Sequence, residues 1–484
     1  VAEEQTQVSD SFGGLLSLAW PVILSRASQA VIGFSDAAMV ASLGEDAIAA
    51  TTTGASNALN LFILPMGVVF IVQSFVAQLA GAGDRAGSRR FAWYGLVVAL
   101  LTAVLMGLVT LGLRPTISLL GYSDNVRELL IDYMTVRLLS SGAVVGIEAL
   151  GNWFGGLGNT RLPMVVSLIA MVTNVALCWV FIYGRLGAPA MGVRGAALAG
   201  SLATFLAFAV IFVAFLRAGR EPRPATETAA TEPSAAAEPS AAAEPSAPAI
   251  PTLSPTREFL RMLRFGLPAG ANWFLEFAAF TVFINVIVAR LGTTAVAAMM
   301  AVVQVNSIAF MPAFGVSTAG AIIVGQAIGA GTKDRVGRIV KRTMILAASW
   351  QVFVGVVYAS SPRTVMSVFG GQGPDHGEAL VDLAAKLLLV STAWQLFDAI
   401  SITLSEALRA AGDTAWCMWA RIILAWVFFV PAASVAVIIF KVGPVGAITC
   451  FVMYLAVLSV VMTYRYRSGA WKNIDLTGQA ALHH

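Results

Sequence analysis

Apolar runs of roughly twenty residues or more, cut by short polar breaks, recur along the whole chain. Taken against glycine, proline and charged breakers, they fall at 13–42, 53–80, 91–113, 131–157, 163–184 and 194–217, then at 265–291, 299–329, 342–360, 380–410, 416–440 and 444–464. About twenty apolar residues in helix cross a hydrocarbon layer ~30 Å thick, so the pattern predicts an all-α polytopic membrane protein with twelve transmembrane helices. Membrane strands would instead alternate in short segments of about ten residues. Between the sixth and seventh runs, residues 221–255 repeat an EPSAAA unit. That stretch is too polar and proline-rich to span or to pack, and it reads as a disordered linker.

Composition agrees: 58% of residues are hydrophobic and 12% charged, with a mean hydropathy of +0.80. The net charge of +4 is spread in short basic clusters between apolar runs, which orientation in a bilayer explains and nucleic-acid binding does not. Arg85, Arg89, Arg90, Arg161, Arg217, Arg257, Arg261, Arg264, Lys333, Arg338, Arg465 and Lys472 fall on one side. By the positive-inside rule that side, with both termini and the linker, is cytoplasmic, in a plasma or inner membrane. The start, VAEEQTQVSDS, is polar and acidic, unlike a cleaved signal peptide. Cys178, Cys417 and Cys450 have no metal-ligand or CxxC spacing, so disulfides and zinc are not expected. No nucleotide-binding or hydrolytic motif is present, which excludes ATP-driven transport by this chain and an enzyme role.

The two sets of six runs match each other. LGEDAIAA at 43–50 answers LGTTAVAA at 291–298, and QLAGAG at 78–83 answers QAIGAG at 326–331, at the same offset. Gly158, Asn159 and Thr160 answer Gly412, Asp413 and Thr414. Each half has an even number of spans, so the repeats share one orientation about an axis along the membrane normal, with a solute handled between them. The divisions expected are 1–217 and 257–466 for the two lobes, 218–256 for the linker and 467–484 for a tail, in a chain read as a monomer.

Chemistry enters where charge interrupts apolar runs. Glu276 lies more than two turns inside its run, where a carboxylate costs ~2.5–3.5 kcal/mol and normally faces a water-filled cavity, an ion or a partner. Asn272 and Phe283 share its helix face, a set suited to an organic cation through charge, hydrogen bond and ring. Asp398 carries Ser391, Gln395, Ser401 and Ser405 at helical spacing, a polar stripe that must look inward. Asp36 follows Ser25, Ser28, Gln29 and Gly33 along one face and is either functional or a wet helix end. Glu148 and Arg26 are each read as held in a structural pairing of their own, Glu406 as a solvated or salt-bridged helix end beside Arg409, and Asn174 with Cys178 as helix-joining groups. A sodium ion would need several oxygens, which Glu276, Asp398 and nearby amides could supply, while a proton would need only a carboxylate. The coupling ion is therefore Na+ or H+, and no resident cofactor is implied.

FSDAAMVASLG with Asp36, the QLAGAGD and GQAIGAG endings, GLGNTRLP, FGLP before Glu276, and FDAISITLSEALRAAGDT with Asp398 together resemble the multidrug and toxic compound extrusion (MATE) transporters, NorM-like branch. The resemblance spans the chain outside the linker. It implies two six-helix lobes facing a central cleft and antiport of cationic, hydrophobic compounds against sodium or protons. It also implies cation binding by Asp36 in the first lobe, assisted by Asn174, and by Glu276 with Asp398 in the second. Cys178 stands where the family commonly shows Asn or Asp, which thins the first lobe's polar network. A lipid-linked glycan flippase shares the broader fold but should have a basic cavity, and a non-transporting receptor is the other alternative.

Overall fold

A computed structural model describes residues 10–119, 122–218, 254–369 and 376–478, and every regular element among them is helical. The linker expected at 221–255 lies outside the described residues up to position 253. In the first half, α1 (Phe12–Ala41), α2 (Glu45–Gly81), α3 (Arg85–Ser118), α4 (Asp124–Leu139), α5 (Ser141–Gly156), α6 (Arg161–Tyr183) and α7 (Gly192–Ala218) follow in order. In the second half come α8 (Pro255–Val282), α9 (Thr293–Gly329), α10 (Val336–Ser360), α11 (Pro362–Met366), α12 (His376–Ala411), α13 (Thr414–Ile422), α14 (Val430–Ser434) and α15 (Pro444–Arg467). Side-chain caps fix several starts: Ser11 accepts from the Gly14 amide at 3.1 Å and Asp84 from the Gly87 amide at 2.6 Å.

Eleven stretches among the described residues are long and apolar enough to span, and α4 with α5 forms a twelfth that is bent by 43°. The bend falls at Ser140, whose hydroxyl bonds the Arg137 carbonyl at 2.8 Å and competes with the helical ladder. The expected span 131–157 is therefore two helices meeting at an angle. Two other spans change pitch without breaking. α8 runs through a π-helical turn, Phe283–Ile287, into a 3-10 turn ending at Leu291. α13 and α14 are joined and extended by wide π-helical turns at Ile423–Phe429 and Val435–Ile439.

Burial along α2 and α9 shows how the halves meet. From Gly67 to Leu79 every residue of α2 is buried, and so is every residue of α9 from Ala313 to Gly325. A helix buried all round has neighbours on every side, so these segments form the axis of the molecule. Towards their N-termini both helices regain exposed faces, with Leu59 and Leu64 on α2 and Met300 and Ile308 on α9. The halves are thus wedged together at the end carrying the basic loops and diverge towards the other. Close helix approach makes the wedge. A Cβ on Gly81 would overlap the Gln326 carbonyl, and one on Gly329 would overlap that of Gln78, the reciprocal contact expected of the repeated motifs. Further along α2, a Cβ on Gly67 would lie 2.5 Å from Gly270 Cα of α8. Only hydrogen fits at these crossings.

Candidate functional site

Glu276 on α8 forms an ion pair with Arg421 of α13, a residue that the sequence reading did not single out. The second guanidinium nitrogen donates to Ser405 Oγ of α12 at 2.9 Å. Asp398, also on α12, lies in the electric field of both Glu276 and Arg421, and the same three groups act on the Tyr454 hydroxyl of α15. Four helices thus converge on one charged cluster inside the second half. Glu276 keeps a third of its side chain exposed whereas Arg421 keeps 13%, so the carboxylate faces the opening and the guanidinium backs it. One turn before Glu276, the buried Asn272 Oδ1 accepts no hydrogen bond from the described residues, nor does the Tyr454 hydroxyl make one. Glu276, Asp398, Asn272 and Tyr454 therefore offer a set of oxygen ligands in one place. No group of three or more His, Cys, Asp or Glu able to hold a metal occurs among the described residues, so amide or hydroxyl oxygens would have to complete any ion's shell.

Three residues expected beside this cluster lie elsewhere. Phe283 is 1% exposed, packed in an aromatic core with Phe429 at 5.0 Å and Phe451 at 6.2 Å. Helical spacing does put it on the face of Glu276, but two turns further along, that face is covered by the Phe429 and Phe451 rings. Ser391 and Gln395 do look inward, but into the packing of α12 on α9 and not into an opening. Gln395 donates to Asn306 Oδ1, Asn306 donates to Ser391 Oγ at 3.2 Å, and all three are buried. This closed amide–hydroxyl network ties two helices together.

The first half holds a different cluster. Cys178 Sγ of α6 donates to Asp36 Oδ1 of α1 at 3.3 Å and lies 4.0 Å from Asn174 Oδ1. Asn174 itself interacts with Asp36, and Arg137 of α4 acts on Asp36 through its charge. Arg137 and Asn174 both crowd the bare backbone of Gly200 on α7. Asp36 is thus an engaged member of a four-helix network and not a wet helix end. Cys178, expected to thin that network, is one of its donors. Arg26 and Glu148, each expected to have a structural partner, pair with each other at 3.1 Å, and Arg26 also approaches the exposed Gln29 at 3.5 Å. Arg26 stands over the rings of Phe70 on α2 and Phe314 on α9, so this pair rests on an aromatic floor shared by both halves.

Below that floor the halves are sealed. Arg409 of α12 donates to the Phe70 carbonyl at 3.0 Å, Gln73 Oε1 at 2.9 Å and Ser74 Oγ at 3.3 Å, all on α2, while pairing with Glu406. Both charged side chains are buried, at 7% and 6% exposure. The salt-bridged reading of Glu406 holds, and the solvated one does not. Gln78 donates to the Ala410 carbonyl at 2.7 Å and Gln326 to that of Gly156 at 3.1 Å, completing a polar gasket between the halves.

Comparison with known proteins meets this geometry. The MatE family model matches residues 21–180 and again 268–435, once in each half. A probable multidrug resistance protein NorM from Thermotoga maritima is 26% identical over 465 residues, covering 95% of this chain and 92% of that one. The multidrug resistance protein NorM of Vibrio cholerae is 25% identical over 424 residues, covering 87% and 86%. Among solved structures, a MOP superfamily transporter from Pyrococcus furiosus, described by the reversed polarity of its binding pocket, superposes with a TM-score of 0.81 at 19% identity over 95% of this chain and 96% of that one. An outward-facing multidrug resistance MATE transporter superposes at 0.78 with 20% identity, covering 95% and 96%. With the family pattern matched in both halves of a duplicated twelve-span bundle, the chain belongs to the MatE family of membrane transporters.

Proposed function

We propose that this protein is a secondary active antiporter that exports cationic, hydrophobic organic compounds in exchange for Na+ or H+ by alternating access. The observation that carries the reading is the partly exposed Glu276 with Asp398 in its electric field, deep in the second half of a bundle that is sealed at one end. Two carboxylates at that depth are costly unless a cation or proton visits them. Organic cation and coupling ion would compete for the same oxygens: one enters from the sealed side once the halves rock open there, and the other displaces it from the opposite side. Asn272 Oδ1, buried without a donor, would complete the ligand set for sodium, whereas a proton would need only Glu276 or Asp398. Asp36, with Asn174, is assigned a supporting place in cation handling.

With the basic loops cytoplasmic, both termini lie inside a plasma or inner membrane and the sealed end faces the cytoplasm. The conformation is then outward-facing. Residues 1–217 and 257–466 form the two lobes of a monomer, joined by 218–256, with 467–484 as a cytoplasmic tail. The relatives named as multidrug resistance proteins support an organic cation as cargo. A glycan flippase would need a basic pocket for pyrophosphate, and the acids of the Glu276 cluster outnumber its single base.

Everted vesicles loaded by a proton gradient without sodium, and then by a sodium gradient without a proton gradient, test the reading on a cationic dye. One gradient should drive dye movement in the wild type, and Glu276→Gln and Asp398→Asn should each lower it by roughly a hundredfold. Full coupled transport in both variants would remove the assignment.

A further inference from the structure

Acids buried in this bundle are matched by bases almost one to one. Glu148 has Arg26, Glu406 has Arg409, Asp413 has Arg465 and Glu258 has Arg90. Asp36 has Arg137 within electrostatic reach. At the Glu276 cluster the count differs: two carboxylates, Glu276 and Asp398, stand against one guanidinium. A guanidinium stays charged at any working pH, so this cluster can hold at most one uncompensated negative charge. The Asp36 cluster, counted the same way, holds none.

The guanidinium is also built in. Arg421 reaches Glu276 with one terminal nitrogen and Ser405 Oγ with the other at 2.9 Å, and its Nε is buried with no acceptor among the described residues. An arginine at this depth cannot remain unpaired, so when no other cation is near it occupies Glu276. It is tethered to the helix wall, whereas the face of Glu276 away from it is open. In the repeat, the place of Arg421 seven residues after Thr414 is taken in the first half by Ser167, seven after Thr160. Ser167 bonds Ser25 Oγ of α1 at 2.6 Å, a neutral contact between the corresponding helices.

We infer that Arg421 is a resident counter-ion that sets the charge specificity of the site: it holds Glu276 when the site is empty and leaves room for one monovalent cationic centre at a time. A monocation balances the one remaining charge. A dication entering the same cluster would bring a surplus positive charge beside a fixed guanidinium, where like charges in a low-dielectric site repel strongly. The inference rests on the export reading and refines its substrate class.

The test uses the full chain in proteoliposomes with a matched dye pair, monocationic ethidium and dicationic propidium, for wild type, Arg421→Gln and Arg421→Lys. Wild type should carry ethidium at least about tenfold faster than propidium, roughly the discrimination of one unfavourable charge contact. Arg421→Gln should collapse that ratio towards one, and Arg421→Lys should restore it, which a merely structural role would not do. Equilibrium binding of both dyes to purified wild type gives the same ratio should the Gln variant fail to fold. Equal handling of the two dyes by wild type, or an unchanged ratio in a transporting Arg421→Gln, overturns the inference alone. A wild type that moves neither dye overturns the export reading and this inference with it.

Discussion

The two halves of the molecule share one helical plan and contain different chemistry. In the first half an acid, Asp36, is enclosed by a thiol, an amide and a guanidinium. In the second, a pair of acids shares one guanidinium and keeps an open face. Duplication fixed where the helices run, and the helix termini that were copied, QLAGAG and QAIGAG, still make the same contact on each other's backbone. It did not preserve which positions carry charge. Under the antiport we propose, a satisfied acid and an under-compensated one on equivalent scaffolds would assign cation capture to the second half and the holding of geometry to the first.

Removing the charge at each site measures that difference. Glu276→Gln should lower coupled dye transport by roughly a hundredfold, the scale of a carboxylate's ~2.5–3.5 kcal/mol at such depth. Asp36→Asn should lower it about tenfold or less, since the amide oxygen can still accept the Cys178 hydrogen bond. Equal losses in a side-by-side vesicle assay would erase the distinction. Gln395→Leu separates packing from binding within the second half. It leaves Asn306 Oδ1 without its donor and should cost about 1–3 kcal/mol, read as a lower thermal midpoint of the purified protein, with the dye's dependence on the driving ion unchanged. A shift in that dependence would return Gln395 and Ser391 to the ion site. The smallest effect is expected for Cys178→Ala, which removes one weak donor from Asp36. Transport should stay within about twofold of wild type, and a larger fall would show that the first-half network does more than hold shape.

Much of the architecture was legible because it is written in composition and repetition. Long apolar runs give spans, matched motifs give the repeat, and a lone charge such as Arg26 or Glu148 implies a structural partner, though not which one. Glu276, Asp398 and Asp36 stood out as isolated charges in apolar stretches. The partners did not. Arg421 lies far from Glu276 in sequence and Arg137 far from Asp36, and which helices adjoin is a tertiary fact. Yet a signal was present: an arginine inside the run WARIILAW is as costly as the glutamate that attracted notice, and balancing acids against bases within the spans would have flagged both arginines. Phe283 illustrates the other limit. A regular helix puts it on the face of Glu276, and nothing in FTVFINVI announces the aromatic core that covers that face two turns on. Gln395 and Ser391 were rightly placed inward, but inward has two meanings in a bundle, towards a neighbouring helix and towards an opening.

The crossing of α2 over α8 at Gly67 and Gly270 has a mechanical side. It divides α2 into unequal arms, about 33 Å towards Glu45 and about 21 Å towards Gly81, at 1.5 Å of rise per residue. At the crossing itself the two backbones meet directly, and the Val68 and Ile71 side chains of α2 lie against the bare α8 backbone at Gly266 and Gly270. Turned about that point, α2 works as a lever with a ratio of about 1.6, so a given swing at its Glu45 end corresponds to some three fifths of that travel at its Gly81 end, where Gln78 bonds the Ala410 carbonyl.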